Sequence, residues 1–106
     1  MVKRHYKVVW EDAAKASLHR VYNYIKKRES QEQAAKVRTE IRELAKSFGF
    51  MPHKYTRDPF IEKETGDIRY KVIWSYRLVY EVTEEYVIIL DVIHTSRNPE
   101  NMKLVK

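Results

Sequence analysis

The last third of this chain constrains its fold most, because three short runs of alternating apolar and polar residues follow one another closely. They read IRYKVIWS from Ile68, YRLVYEVT from Tyr76 and YVIILDVIH from Tyr86. Such runs are typical of β-strands. The segments that join them are too short for a crossover helix, so the three strands are predicted to form an antiparallel meander.

Side chains along a strand alternate between its two faces. In the first run, Arg69 and Lys71 share one face, and the other face is predicted to fill the core with Ile68, Tyr70, Val72 and Trp74. In the third run the same alternation places Asp91 on the open face, and it places His94 on the core side with Ile88, Leu90 and Val92. The sequence therefore predicts a basic sheet face with a histidine at its rim, a surface suited to phosphates.

Two amphipathic helices are predicted ahead of these strands. The apolar stripe of the first comprises Ala14, Leu18, Val21, Tyr22 and Ile25, and that of the second Ala34, Val37, Ile41, Leu44, Ala45 and Phe48. Asp12 is the expected N-cap of the first helix, and Ser30 with Gln33 resembles a capping box for the second. Gly49 is the expected terminator.

An early alternating segment, His5 to Trp10, completes the order strand, helix, helix, strand, strand, strand. Neither the helices nor the strands alone would bury enough apolar surface, so both are expected to share one core. The predicted fold class is α+β, with a helical hairpin packed on one face of a small, mainly antiparallel sheet.

Composition excludes several kinds of site. The 106 residues include no cysteine, which rules out disulfides and thiolate metal sites, and only two glycines, too few for a glycine-rich phosphate loop. No apolar run approaches the roughly 20 residues that span a bilayer, so we expect no membrane association. A net charge of +6 favours an anionic partner, although excess Lys and Arg also occur for solubility alone.

The chain resembles the RelE/ParE superfamily, the toxins of bacterial type II toxin–antitoxin pairs. The resemblance rests on the helix LHRVYNYI from Leu18, the second helix, the strand YRLVYEV from Tyr76 and the ending ILDVIHTSRNPE from Ile89. It implies a single RelE/ParE-like toxin domain over residues 1–106 that acts in the cytoplasm. It also implies a cognate antitoxin as partner, and no cofactor or metal.

The family contains two activities. RelE-like members cut messenger RNA on the ribosome, whereas ParE-like members inhibit DNA gyrase without cleaving nucleic acid. The resemblance to the ribonucleases implies four catalytic residues: Arg69, Lys71, Arg77 and Arg97. His94 is added to this catalytic set on chemical grounds, as a histidine that can transfer protons near neutral pH. Their C-terminal tyrosine has no counterpart near Asn101 to Lys103, and the helix around Tyr22 to Ile25 looks more like the ParE branch.

Metal-free RNA cleavage needs proton transfer and a stabilised phosphorane. Arg77 and Arg97 are candidates to clamp the phosphate, and His94 is the candidate general acid or base. Each of the three has a plainer interpretation: Arg77 as the partner of Glu81 in a surface ion pair, His94 as a hydrogen-bonded structural histidine, and Arg97 as a loop cation. Arg69 and Lys71 would in that case only solubilise an open sheet face.

Three functions follow as alternatives: a ribosome-dependent messenger RNA endoribonuclease, a gyrase inhibitor, and a nucleic-acid-binding module without toxicity. The basic strand residues favour the first. The missing tyrosine and the ParE-like helix favour the second.

Overall fold

A computed structural model describes residues 5–57 and 66–96. Along the chain it contains strand β1 (Lys7–Trp10), helices α1 (Asp12–Arg28) and α2 (Gln31–Ser47), and strands β2 (Asp67–Ile73), β3 (Tyr76–Val82) and β4 (Tyr86–His94). The predicted order and type of these elements are confirmed. None of the helices in the described part of the chain combines the length and apolar character that crossing a membrane requires.

The helices bury the stripes that their spacing predicts. Both contribute to one cluster of buried residues: Ala14, Leu18, Val21 and Ile25 from α1, and Ala34, Val37, Ile41 and Ala45 from α2. Ser30 caps α2, and its Oγ accepts a hydrogen bond from the backbone N–H of Gln33 at 3.0 Å. The N-cap of α1 is Glu11, one residue before the predicted Asp12, and its side chain makes no capping bond.

The four strands form one sheet in the order β1-β4-β3-β2. The meander of β2, β3 and β4 is antiparallel, as predicted, whereas β1 pairs with β4 in parallel. The helical hairpin connects β1 to β2 and is long enough for these two strands to run in the same direction. β4 runs in that direction too, so β1 can pair with it in parallel.

The sheet carries an apolar cluster on each face. The helix-facing cluster includes Leu78, Tyr80, Val87, Ile89 and Val92, all buried. The opposite face carries a smaller cluster of Ile68, Val79 and Ile93, with Tyr70 and Leu90 partly buried beside it. The predicted arrangement, one covered face and one partly open face, is therefore what the structure has.

The assignment of β2 residues to faces was wrong, however. Arg69 is paired with Tyr80 and Lys71 with Leu78, which places both cations on the helix-facing side. Ile68 and Tyr70 lie on the other face, and Val72 and Trp74 are 45% exposed. Alternation separates two faces but does not say which one meets the helices, and here both carry apolar residues.

A β-bulge at Leu90 changes the alternation within β4. Val79 pairs with Asp91 and Tyr80 pairs with Ile89, so Leu90 is the extra residue. Two residues then stand opposite one, and the side chains after the bulge change face relative to those before it. Leu90 thus belongs to the open face and Val92 to the helix-facing core, although the sequence count put them together.

Gly49 lies where β1 approaches the end of α2. The Gly49 carbonyl accepts a hydrogen bond from the Tyr6 N–H at 2.8 Å. A Cβ at this position would lie 2.8 Å from the Tyr6 carbonyl oxygen, closer than a Cβ normally approaches. The glycine does follow the end of α2, as predicted, and the close approach of two backbones is what requires it.

Candidate functional site

Arg69 is held inside the protein by several acceptors. Its Nε donates to Asp67 Oδ1 at 3.1 Å, and its Nη1 donates to the carbonyl oxygens of Tyr55 at 2.7 Å and His53 at 3.3 Å. The side chain is 17% exposed. These contacts fasten the segment that follows α2 to the edge strand β2, and they occupy most of the directions in which a guanidinium donates.

Lys71 lies two residues further along the same face and is exposed. Its ammonium stands 5.0 Å from the centroid of the Tyr55 ring, and Lys54 approaches that ring at 5.4 Å. The two predicted cations of β2 are therefore brought together, on the side of the sheet where the segment around Tyr55 lies.

Arg77 lies on the opposite face of the sheet. Its guanidinium carbon stacks 4.2 Å from the centroid of the Tyr70 ring, and the residue is 8% exposed. Its cross-strand neighbours are Val72 and Ile93. The sheet itself therefore separates Arg77 from Arg69 and Lys71.

His94 ends β4 and is exposed at the rim of the helix-facing side, opposite Tyr76. The two rings meet edge to face with centroids 5.2 Å apart. The N–H of Ser96 donates to His94 Nδ1 at 3.0 Å. Since Nδ1 accepts this bond, the neutral ring carries its proton on Nε2.

A groove of about 410 Å³ opens beside His94 between α1 and the end of β4. Its lining includes Ser17, Arg20, Tyr24, Tyr76 and Asp91. Burial raises the pKa of Tyr76, and the neighbouring Tyr24 and Glu29 raise it further. The Tyr76 hydroxyl is therefore held neutral, as a hydrogen-bonding group rather than a charged one.

The strand register pairs Asp91 with Val79 of the open-face cluster, yet its carboxylate contacts α1. Its Oδ1 accepts hydrogen bonds from Ser17 Oγ of α1 at 2.5 Å and from the Val92 N–H at 2.8 Å. Arg20 Nη2 in turn donates to Ser17 Oγ at 3.0 Å. Asp91 follows the bulge at Leu90 directly, where β4 has continued past the end of its pairing with β1.

The candidate catalytic residues that the structure describes thus occupy three places rather than one. Arg69 faces Tyr80 and His94 faces Tyr76 across the sheet, so four residues of β3, about 13 Å at about 3.3 Å per residue, separate them. Arg77 lies behind the sheet. Arg97 lies outside the described residues. Within the described ranges, no three His, Asp or Glu side chains gather as a metal site would require.

Sequence reasoning missed the exposed aromatic residues at the His94 end of the sheet. Tyr24 is 53% exposed and Trp74 is 45% exposed, although the strand pattern assigned Trp74 to the core. It also missed Ser17 and Arg20, which lie on α1 beside the groove. The available signal was the two-residue connection Trp74-Ser75, since turn residues commonly lie at the surface.

Comparison with known proteins agrees with this fold. The family model described as the ParE toxin of the type II toxin–antitoxin system parDE matches residues 8–99. A comparison with curated proteins finds no match to the chain.

Three solved structures share the fold at low identity. The chromosomal ParDE system from P. aeruginosa is 19% identical with a TM-score of 0.73, over 88% of this chain and 99% of that one. The RelBE2 toxin–antitoxin complex from Mycobacterium tuberculosis is 21% identical with a TM-score of 0.60, over 88% and 94%. The archaeal RelE–RelB complex from Pyrococcus horikoshii is 16% identical with a TM-score of 0.52, over 89% and 99%.

The match to the family model extends over most of the chain, from the second residue of β1 to beyond the end of β4. The chain therefore belongs to the ParE toxin family, within the RelE/ParE superfamily of type II toxin–antitoxin systems.

Proposed function

We propose that this toxin inhibits DNA gyrase and does not cleave messenger RNA. The separation of Arg69, Arg77 and His94 is the observation that carries the proposal. A metal-free ribonuclease needs its proton-transfer group within about 3 Å of the reacting atoms, with cations around the same phosphate. A side chain about 13 Å away along the sheet, or one behind it, does not meet that requirement.

The hydrogen bonds that Arg69 already makes also favour this proposal. Its guanidinium already donates to Asp67 and to two carbonyl oxygens, so binding a phosphate would require those bonds to break. Hydrogen bonds that involve a charged group contribute about 1.5–3 kcal/mol each. That cost favours a structural role for Arg69 and weakens the case for a nuclease.

The endoribonuclease with Arg69, Lys71, Arg77, His94 and Arg97 is the second candidate. One observation favours it: His94 stands at a polar groove beside Arg20. A histidine and an arginine at one groove are suitable for acid catalysis on a phosphodiester. The gyrase inhibitor and the endoribonuclease therefore differ in whether His94 takes part in a catalytic step.

We further propose that a cognate antitoxin neutralises the toxin, as the family implies. The solved structures with this fold include a toxin–antitoxin complex from Mycobacterium tuberculosis and the RelE–RelB complex from Pyrococcus horikoshii. An amphipathic acidic segment would suit a protein with a net charge of +6 and exposed apolar side chains.

Two assays on the purified protein test the target. In the first, gyrase, ATP and plasmid are incubated with the toxin, and the DNA is analysed after protein denaturation. We expect linear plasmid to accumulate with toxin concentration and to disappear when antitoxin is added. In the second, messenger RNA from a reconstituted translation reaction is examined by primer extension, and we expect no new ends.

Two histidine variants make the ribosome assay decisive. His94→Ala removes the ring at the groove, and His19→Ala removes an exposed histidine of α1 that does not line it. Cuts that require ribosomes, persist in His19→Ala and vanish in His94→Ala would establish the ribonuclease and refute the proposal. A toxin without effect in either assay would also refute it.

A further inference from the structure

Trp74 occupies a turn position that the fold alone would assign to glycine. It begins the two-residue connection between β2 and β3, where Ile73 pairs with Tyr76. Its φ is 55°, the one positive φ among the non-glycine residues that the structure describes. A positive φ at the first central residue only is the pattern of a type II′ hairpin turn, in which glycine is preferred.

A bulky residue in this conformation is strained by about 1–3 kcal/mol. Trp74 is also 45% exposed, so a large part of its ring remains open to a contact outside the chain. Strain of this kind collects at functional positions, so the residue points to a contact outside the chain.

A second exposed aromatic residue lies at the same end of the protein, and a cation accompanies each ring. Tyr24 of α1 is 53% exposed, with the guanidinium of Arg28 5.4 Å from its ring centroid. Lys36 of α2 stands 5.7 Å from the centroid of the Trp74 ring. Aromatic faces with nearby cations are the components with which proteins hold unpaired nucleotides.

The groove beside His94 lies at the same end of the protein as these rings. Tyr24 lines it directly, and the Trp74 turn is held against its rim because the Thr95 N–H donates to the Ser75 carbonyl at 2.8 Å. The volume of about 410 Å³ falls within the usual range of small-ligand sites, about 300–1,000 Å³. We call Tyr24, Trp74 and the groove that Tyr24 lines the aromatic end.

The charge at the aromatic end suits an anionic partner. Its cations include Arg20, Arg28 and Lys36, and the carboxylates near them include Asp91 and Glu29. The Asp91 carboxylate is already hydrogen-bonded to Ser17 and to the Val92 N–H. The named groups thus leave an excess of positive charge, in a chain whose net charge is +6.

We propose that the aromatic end binds single-stranded nucleic acid. Bases stack on Trp74 and Tyr24, and the phosphates between them lie near Arg20, Arg28 and Lys36. This activity goes beyond the proposed inhibition of gyrase and requires neither gyrase nor the ribosome. Unpaired bases fit better than a duplex, because stacking on an exposed ring needs a free base face.

Fluorescence anisotropy with labelled dT12 and rU12 tests the proposal. Trp74→Gly is the informative variant, because glycine is the preferred residue at this turn and the hairpin is expected to keep its backbone conformation. Each stacked base contributes about 1–3 kcal/mol, so Trp74→Gly should weaken binding about 5-fold to 150-fold. Tyr24→Ser should act in the same direction.

Tyr86→Ser is the matched control. Tyr86 is 44% exposed, a similar fraction to Trp74, but it begins β4 beside Lys7 at the other end of the sheet. We expect its affinity for either oligonucleotide to stay within twofold of that of the unmodified toxin. Binding should also weaken steeply with salt, as phosphate contacts require.

Three outcomes would overturn the proposal: no binding at low salt, equal binding by Trp74→Gly, or displacement by duplex DNA at the same concentration as by dT12. Displacement by polyglutamate with the same loss in Trp74→Gly would assign the surface to an acidic peptide instead. A preference for dT12 or rU12 tells DNA from RNA. Since the assay contains no gyrase, its failure is separate from failure of the gyrase assay.

Discussion

At the scale of single residues, Arg69 was predicted to be a catalytic cation, and its contacts are those of a residue that positions the backbone. The sequence places it on a strand beside Lys71, as a solvent-facing pair. In the structure, the two residues differ in what they contact: Arg69 binds Asp67 and the backbone of the segment at Tyr55, whereas Lys71 stands over the Tyr55 ring. Arg69 therefore positions a segment of the chain.

We expect Arg69→Ala to lower the free energy of unfolding by about 1.5–3 kcal/mol, the usual contribution of hydrogen bonds to charged groups. Arg69→Lys should restore only part of this loss, because an ammonium cannot reproduce the planar fork of donors. Urea denaturation measures both. Trypsin should also cut faster after Lys54 and Arg57 in the alanine variant, since the segment loses its attachment.

Lys71→Ala is the control for this experiment, because it removes a cation from the same face of the same strand. Its cost should not exceed about 1 kcal/mol, the usual value of an exposed cation–π contact. Equal losses of stability in Arg69→Ala and Lys71→Ala would contradict the structural role of Arg69.

At the scale of elements, the bulge in β4 decides how α1 joins the sheet. β1 pairs with β4 only as far as Ile89, and Leu90 interrupts the ladder immediately afterwards. Beyond that point Asp91 is bonded to Ser17, which is 6% exposed within α1. A polar contact thus joins the helix to the strand beyond the end of β1.

The contact predicts energetic coupling between Ser17 and Asp91. Removing either partner leaves the other with an unmet hydrogen bond in a partly buried place, so each alanine variant should be destabilised. The double variant should lose less than the sum, with a coupling energy of about 0.5–3 kcal/mol in a double-mutant cycle. Chemical denaturation of the four proteins gives that number.

A cycle between Ser17 and Tyr86 is the comparison, because Tyr86 lies at the start of β4 beside β1. It should be additive within about 0.5 kcal/mol. Additive behaviour of the Ser17–Asp91 cycle would mean that the contact contributes nothing to the joining of α1 and β4.

At the scale of the whole molecule, Tyr80 joins the two layers and the segment that follows α2. It is fully buried, its ring stacks on Phe48 with centroids 4.0 Å apart, and its hydroxyl donates to the Pro52 carbonyl at 2.8 Å. Burial raises the pKa of Tyr80 well above its ordinary value of 10.0, and the charge of Arg69 offsets only part of that increase.

The raised pKa predicts a loss of global stability in alkali. Below about pH 10 the hydroxyl is protonated in both states, so its contribution is complete. Above it the unfolded chain releases the proton while the folded protein retains it, and stability falls by at most about 1.4 kcal/mol per pH unit. Unfolding free energies measured from pH 8 to pH 11.5 should show this decline.

Tyr80→Phe should flatten the alkaline decline, and it should cost about 0.5–1.5 kcal/mol at neutral pH through the lost hydrogen bond to Pro52. Tyr86→Phe, at an exposed site, should keep the slope of the unmodified protein. An unchanged slope in Tyr80→Phe would mean that another group causes the decline.

The sequence by itself determined the order and type of the elements, the buried stripes of both helices and the Ser30 cap. These depend on residues within one or two turns of one another, so local spacing records them. It also carried the family resemblance, which the match over residues 8–99 confirms. What it left open depends on contacts between distant residues.

Only the tertiary structure decided which sheet face each strand residue occupies. The bulge at Leu90 arises from pairing with β3, and the acceptors of Arg69 lie 14 and 16 residues away at Tyr55 and His53. The alternation of side chains along a strand reveals neither the bulge nor these acceptors. For the same reason the exposed and strained state of Trp74 appears only when β2 and β3 are paired, because their register forces the chain to turn there.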